Sequence, residues 1–212
     1  MKAPPPMVFV VDDDRSVRTS LANLLSAEDY AVETFARAED YLARAPYEGP
    51  ACLVLDVRMP GLDGLALQQQ LSAEGRSEHI VFITGHGDIP TGVRAMKNGA
   101  VDFLPKPFSD FALLEAVAQA LARSATARQA SESREEMRAR VALLTPREFE
   151  VFRLVITGRL NKQIADELGA ALRTIKRHRG IVMQKLGVTS VADLTRLAQH
   201  AGVEPGPGPK RP

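Results

Sequence analysis

The rhythm of apolar and polar residues changes partway along the chain. Residues 8–11 are a short apolar run ending in Asp12, and residues 16–26 then carry Val17, Leu21, Leu24 and Leu25 at helical spacing. The alternation recurs. A weaker strand is predicted at 31–35, a helix at 38–43, and a strong apolar run at 52–55 that ends in Asp56. Pro60-Gly61 is a turn signal before a helix at 64–73. A fourth strand at 80–83 leads into the loop 84–88, followed by a helix at 91–97, a fifth strand at 101–104, Lys106-Pro107, and a last helix at 109–123. Five strands alternating with five helices predict an α/β domain on a doubly wound parallel sheet.

After residue 123 the strand pattern disappears. Residues 124–141 are polar, with clusters of Arg and Glu and no aromatic residue, which predicts a linker of partly helical character. Thr145-Pro146-Arg147-Glu148 supplies an N-cap hydroxyl, proline at the first helical position and glutamate at the third, so a capping box starts a helix there. Further helices are predicted at 161–168, 172–186 and 191–200, with Gly158, Gly169, Gly187 and Gly202 near their ends. The expected organisation is an α/β domain over 7–123, a linker over 124–141, an all-α domain of four short helices over 142–203, and a disordered Pro/Gly tail over 204–212.

Charge sharpens that division. The whole chain of 212 residues sums to +1, yet residues 1–123 hold 11 Lys+Arg against 17 Asp+Glu and the remainder holds 16 against 9. An acidic module is joined to a basic one, and the basic module is the candidate for nucleic acid. The lone Cys52 excludes an internal disulfide framework, fits a reducing compartment and is expected to be a core thiol. Residues 1–6 lack an apolar leader and no apolar run is long enough to span a bilayer. The expectation is a cytoplasmic protein without a membrane partner.

Strands of a parallel sheet all point one way, so Asp12 and Asp13 after the first strand and Asp56 at the end of the third share its carboxyl edge, where such sheets bind ligands. Carboxylates so close repel and need a cation. An all-oxygen set suits a hard ion such as Mg²⁺. Thr84 and Lys106 reach the same edge, and a hydroxyl, an ammonium and a divalent metal around one carboxylate are the parts needed to accept a phosphoryl group.

Val11-Asp12-Asp13-Asp14, Leu55-Asp56 with Met59-Pro60-Gly61, Ile83-Thr84-Gly85 and Lys106-Pro107-Phe108 together resemble the flavodoxin-like receiver domain of two-component response regulators. The resemblance implies that Asp56 is the phosphoacceptor and that Asp12, Asp13, Asp56 and the backbone carbonyl of Arg58 hold Mg²⁺ or another divalent cation such as Mn²⁺. It further implies that Lys106 and Thr84 contact the phosphoryl oxygens, that Thr84 and Phe103 form the switch, and that the Lys106-Pro107 bond is cis. No organic cofactor is implied. Taken alone, Asp14 reads as a solvated residue or a helix cap, and His86 as a loop residue.

In the basic module, residues 171–186 contain Arg173, Lys176, Arg177, Arg179 and Lys185 and no acid. On a helix, Leu172, Ile175, Val182, Met183 and Leu186 face inward while the basic residues and His178 project outward, the layout of a recognition helix. Asn161-Lys162-Gln163-Ile164-Ala165, Thr174-Ile175-Lys176-Arg177-His178-Arg179 and Met183-Gln184-Lys185-Leu186 resemble the LuxR-type helix-turn-helix. The residues expected at DNA are Asn161, Lys162, Arg173, Thr174, Lys176, Arg177, His178, Arg179 and Lys185. Two departures stand out: Ala171 replaces the usual Ser N-cap, and Gly180 lies inside the helix, where it costs roughly 0.8 to 1 kcal/mol relative to Ala.

Joined, the two modules resemble a response regulator of the FixJ-type subfamily. The resemblance implies a non-enzymatic regulator that a sensor histidine kinase phosphorylates, and that forms a homodimer, binds double-stranded promoter DNA and activates transcription with RNA polymerase. Two other readings compete. One is an aspartyl-phosphate phosphohydrolase using Asp12 and Asp14; the other is a DNA-binding protein indifferent to phosphate.

Overall fold

Apolar runs with almost no polar interruption become the central strands. β1 (Met7–Val11), β3 (Ala51–Asp56) and β4 (Ile80–Thr84) are buried almost throughout, and the more polar β2 (Ala31–Phe35) and β5 (Asp102–Pro105) take the edges. All neighbours pair in parallel, in the order β2-β1-β3-β4-β5. A central parallel strand is covered on both faces, which is why these runs do not alternate with polar residues. The computed structural model describes residues 4–76, 78–85 and 89–207; His86 and the rest of the loop 86–88 therefore lie outside the described residues.

The chain divides into two units, Met1–Arg128 and Gln129–Pro212. In the first, successive side chains of each strand go to opposite cores. Val8, Val10, Cys52, Val54, Val81 and Ile83 meet Leu21 and Leu25 of α1 (Arg15–Ala27) together with Leu113 and Val117 of α5 (Asp110–Ala142). Phe9, Val11, Leu53, Leu55 and Phe82 meet Tyr41 of α2 (Ala38–Ala43), Leu67 and Leu71 of α3 (Gly64–Ala73), and Ala95 of α4 (Ile89–Lys97). Cys52 is fully buried, and burial pushes its thiol pKa far up, as suits a core thiol.

Residues 124–141, expected to be a partly helical linker, are helical throughout. They belong to α5, and Ser124 is buried in the first unit, its Oγ accepting from the Ala51 amide at 3.0 Å. Met137 and Val141, at the other end, pack on the core of the second unit. Helix-favouring residues made the segment helical throughout, and its few apolar residues found partners at both ends.

The second unit contains α6 (Pro146–Val155), α7 (Asn161–Glu167), α8 (Leu172–Leu186) and α9 (Val191–Ala201). The capping box forms as predicted: Thr145 Oγ1 accepts from the Glu148 amide, and Glu148 Oε2 accepts from the Thr145 amide. Phe152, Ile164, Ile175, Val182, Leu186 and Leu194 fill the core.

Residues 204–207, expected to be disordered, run along α6. Arg153 donates to the carbonyls of Glu204 and Pro205, the Gly206 amide donates to the Arg153 carbonyl, and Arg159 donates to the Pro207 carbonyl at 2.7 Å. A Cβ on Gly206 would lie 2.9 Å from Leu154 Cδ2, so a larger residue there would have to displace the Leu154 side chain. Residues 204–207 need no core of their own because two arginines of the same unit satisfy their backbone. Among the described residues no helix is long and apolar enough to cross a membrane.

Candidate functional site

The register of the sheet makes the carboxylate site. Val11 is level with Leu55, so the next residue on each chain, Asp12 and Asp56, emerge side by side at the carboxyl edge. Asp12 is 1% exposed and Asp56 6%. Lys106 follows β5 and places its ammonium between them, 2.8 Å from Asp12 Oδ2 and 2.9 Å from Asp56 Oδ1. The remaining oxygens are also held: Asp12 Oδ1 accepts from the Asp14 amide and Asp56 Oδ2 from the Arg58 amide, each at 2.8 Å. A Cβ on Gly64 would sit 2.3 Å from the Asp56 carbonyl oxygen, so the turn into α3 can lie against the acceptor strand only with glycine there.

Burial pushes the Asp56 carboxyl above its ordinary range; Lys106 opposes the rise and Asp12 adds to it. Burial works against the Lys106 charge too, but its hydrogen bonds to Asp12 and Asp56 outweigh that and raise its pKa. The cation that these two carboxylates need is therefore already supplied by the chain. Asp13 is exposed, and among the described residues no three His, Cys, Asp or Glu side chains gather as a metal cluster.

Thr84 is 1% exposed at the end of β4, and its carbonyl accepts from the Lys106 amide at 2.7 Å. Phe103 is half-buried on β5, its ring 6.3 Å from that of Phe82 and packed against Gly92 of α4. The Lys106-Pro107 bond is cis. Asp14 is the N-cap of α1, its Oδ1 accepting from both the amide and the hydroxyl of Ser16. One residue had no signal in the sequence: Arg18, one turn into α1, donates to the carbonyls of Asp12 and Asp13 at 2.7 and 2.9 Å. It clamps the loop that carries both acids.

On the basic unit, Lys162, Arg173, Thr174, Lys176 and Arg177 are exposed as expected. Other members of the set are not free. Arg179 donates to Asn161 Oδ1 at 3.0 Å, which ties α8 to the start of α7. His178 is half-buried rather than projecting, and its Nδ1 lies away from solvent. Lys185 is spent on the protein: its ammonium lies 2.7 Å from Oε2 of Glu148 and also donates to the Leu143 carbonyl. Leu172, expected inward, is 43% exposed because it opens α8 ahead of the first core position, Ile175. Ala171 makes no side-chain cap.

Comparison with known proteins agrees with both geometries. Residues 8–118 match the response regulator receiver domain, and residues 142–198 match the bacterial regulatory proteins of the luxR family. Nodulation protein W of Bradyrhizobium diazoefficiens is 47% identical over 197 residues, covering 93% of this chain and 87% of that protein. Transcriptional regulatory protein FixJ of Azorhizobium caulinodans is 43% identical, covering 93% and 94%. The solved structure of response regulator StyR is 52% identical, covers 92% of this chain and 99% of its own, and superposes with a TM-score of 0.83. The chain belongs to the response regulators of the FixJ type, transcriptional regulators in which a receiver domain precedes a LuxR-type DNA-binding domain.

Proposed function

We propose that phosphoryl transfer from a sensor histidine kinase to Asp56 controls promoter binding by the helical unit. The observation that carries this reading is the Lys106 ammonium bridging two buried carboxylates at the carboxyl edge of the sheet. Phosphoryl transfer is mostly positioning and charge neutralisation, and a buried carboxylate of raised basicity beside a fixed cation supplies both. Asp12, Asp13, Asp56 and the Arg58 carbonyl are the groups that would hold Mg²⁺ or Mn²⁺. The oxygen-only donor set fits a hard ion, and the bound ion would neutralise charge on the transferring phosphoryl group.

With a phosphoryl group on Asp56, Lys106 follows the new negative charge and the Thr84 hydroxyl donates to it. Phe103 then turns inward, which changes the surface of α4 and β5. Ile89, Val93 and Met96 form an exposed apolar stripe on α4, 84%, 47% and 45% exposed, and it supports pairing of two receivers there. A homodimer presents two helix-turn-helix units to half-sites of promoter DNA, from which RNA polymerase is recruited and transcription activated. The protein acts in the cytoplasm and turns over no substrate of its own.

The phosphohydrolase reading loses its acid–base residue, because Asp14 is committed to capping α1. Intact-protein mass spectrometry with acetyl phosphate and Mg²⁺ tests the proposal. The wild type should gain one phosphoryl group, removable by hydroxylamine, and Asp56→Asn none. Equal labelling of both proteins would overturn it.

A further inference from the structure

Gly180 sits in the interior of α8 with nothing to explain it within the protein. It is exposed, and a Cβ built there meets no heavy atom within 4 Å. It ends no helix, since α8 continues for six residues to Leu186, and its φ is not among the positive ones. A glycine in such a place weakens the helix relative to alanine, and neither packing nor backbone conformation within the domain returns the loss.

Its position on the helix is informative. Arg173, Lys176, Arg177 and Gly180 follow the spacing i, i+3, i+4 and i+7, and all four are exposed. That spacing is a single face. The opposite face carries the core residues Ile175, Val182 and Leu186. Glycine therefore lies on the same stripe as the freest cationic side chains, one to two turns beyond them. The basic residues reach outward by their length, whereas at Gly180 the helix offers bare backbone. Absence of a side chain is the usual device where another molecule must approach a backbone closely.

We infer that Gly180 is a contact-determining position: the edge of a base pair in the major groove packs directly against the α8 backbone there, at a distance a methyl group would prevent. This rests on α8 being the helix that meets DNA. The close approach seats the C-terminal half of α8 in the groove and lets Arg173 and Arg177 reach their partners further toward its N-terminus. Alanine at this position then has two opposed effects. It firms the free helix and it lifts the helix off the groove.

Those effects separate the inference from a chance glycine. The probe is the duplex that the full-length wild-type protein, with beryllofluoride and Mg²⁺, selects most strongly from a random-sequence pool. Gly180→Ala should slow amide exchange in α8 about three- to fivefold in the free protein, yet bind the selected duplex roughly tenfold more weakly by fluorescence anisotropy. Binding to an unselected duplex should change by less than about twofold, because phosphate contacts carry that term. Gly180→Ala binding the selected duplex as tightly as wild type, or more tightly through its firmer helix, overturns the inference. Failure of the wild type to enrich any duplex overturns instead the reading of α8 as the DNA-contacting helix, and the inference with it.

Discussion

Lys106 Nζ lies 2.9 Å from Asp56 Oδ1, and with Asp12 equally close it occupies the gap between two buried acids. The ammonium thus holds together a site that electrostatic repulsion would otherwise open. Lys106→Ala removes a partly exposed charge but leaves two buried carboxylates without it. In chelator its unfolding free energy should fall by about 1–3 kcal/mol. Mg²⁺ should then stabilise the variant more than the wild type, because the ion no longer competes with an ammonium. Urea unfolding with and without Mg²⁺ measures both; an equal Mg²⁺ increment in the two proteins would count against the shared site.

The Arg18 clamp makes a separate claim. By fixing the carbonyls of Asp12 and Asp13, it sets how the loop presents their carboxylates. Supporting contacts of this kind are worth about tenfold or more in metal affinity. Arg18→Ala should bind Mg²⁺ about tenfold more weakly, with the maximal rate of labelling by acetyl phosphate nearly kept at saturating Mg²⁺. Unchanged Mg²⁺ dependence would make Arg18 a surface residue.

In the helical unit, the Lys185 hydrogen bond and the Thr145 amide hold the Glu148 carboxyl below its ordinary value near 4.5. A carboxyl with a lowered folded-state pKa stabilises the fold above its ordinary pKa, and that contribution is lost as pH falls through the folded value. The wild type should therefore lose stability on acidification below about pH 4.5, and Glu148→Gln should show a flatter acid limb with a lower midpoint at pH 7. Thermal unfolding from pH 3 to pH 7 decides this, and parallel curves would remove the pair from the account.

Arg159 is 7% exposed, forms an ion pair with Glu167 and donates to the Pro207 carbonyl. Arg159→Ala should cost the helical unit about 1–3 kcal/mol by removing the hydrogen bonds of a buried guanidinium. A chain ending at Val203 should lose part of the same stability. If the shortened chain unfolds at the same urea concentration as the full one, residues 204–207 contribute nothing.

Where the sequence was readable, the signals were local. Strand runs ending in Asp12 and Asp56, the cap at Thr145 and the glycines closing helices are contiguous patterns, and each became the element it predicted. What escaped depends on partners distant in the chain. Lys185 looks like one more cation on a basic helix until Glu148, 37 residues earlier, is placed beside it. Arg18 has no motif because it reads backbone carbonyls, which every residue carries. The tail is Pro/Gly-rich and suggests disorder, yet the backbone of residues 204–207 is held by Arg153 and Arg159, about 50 residues earlier in the chain.

The central claim is that charge on Asp56 governs DNA binding, and affinity for a selected duplex with and without beryllofluoride, in Mg²⁺, measures it. Wild type should bind at least tenfold more tightly with beryllofluoride, corresponding to about 1.4 kcal/mol of coupling or more, while Asp56→Asn should not respond. Equal affinity of the wild type in the two conditions would contradict the account.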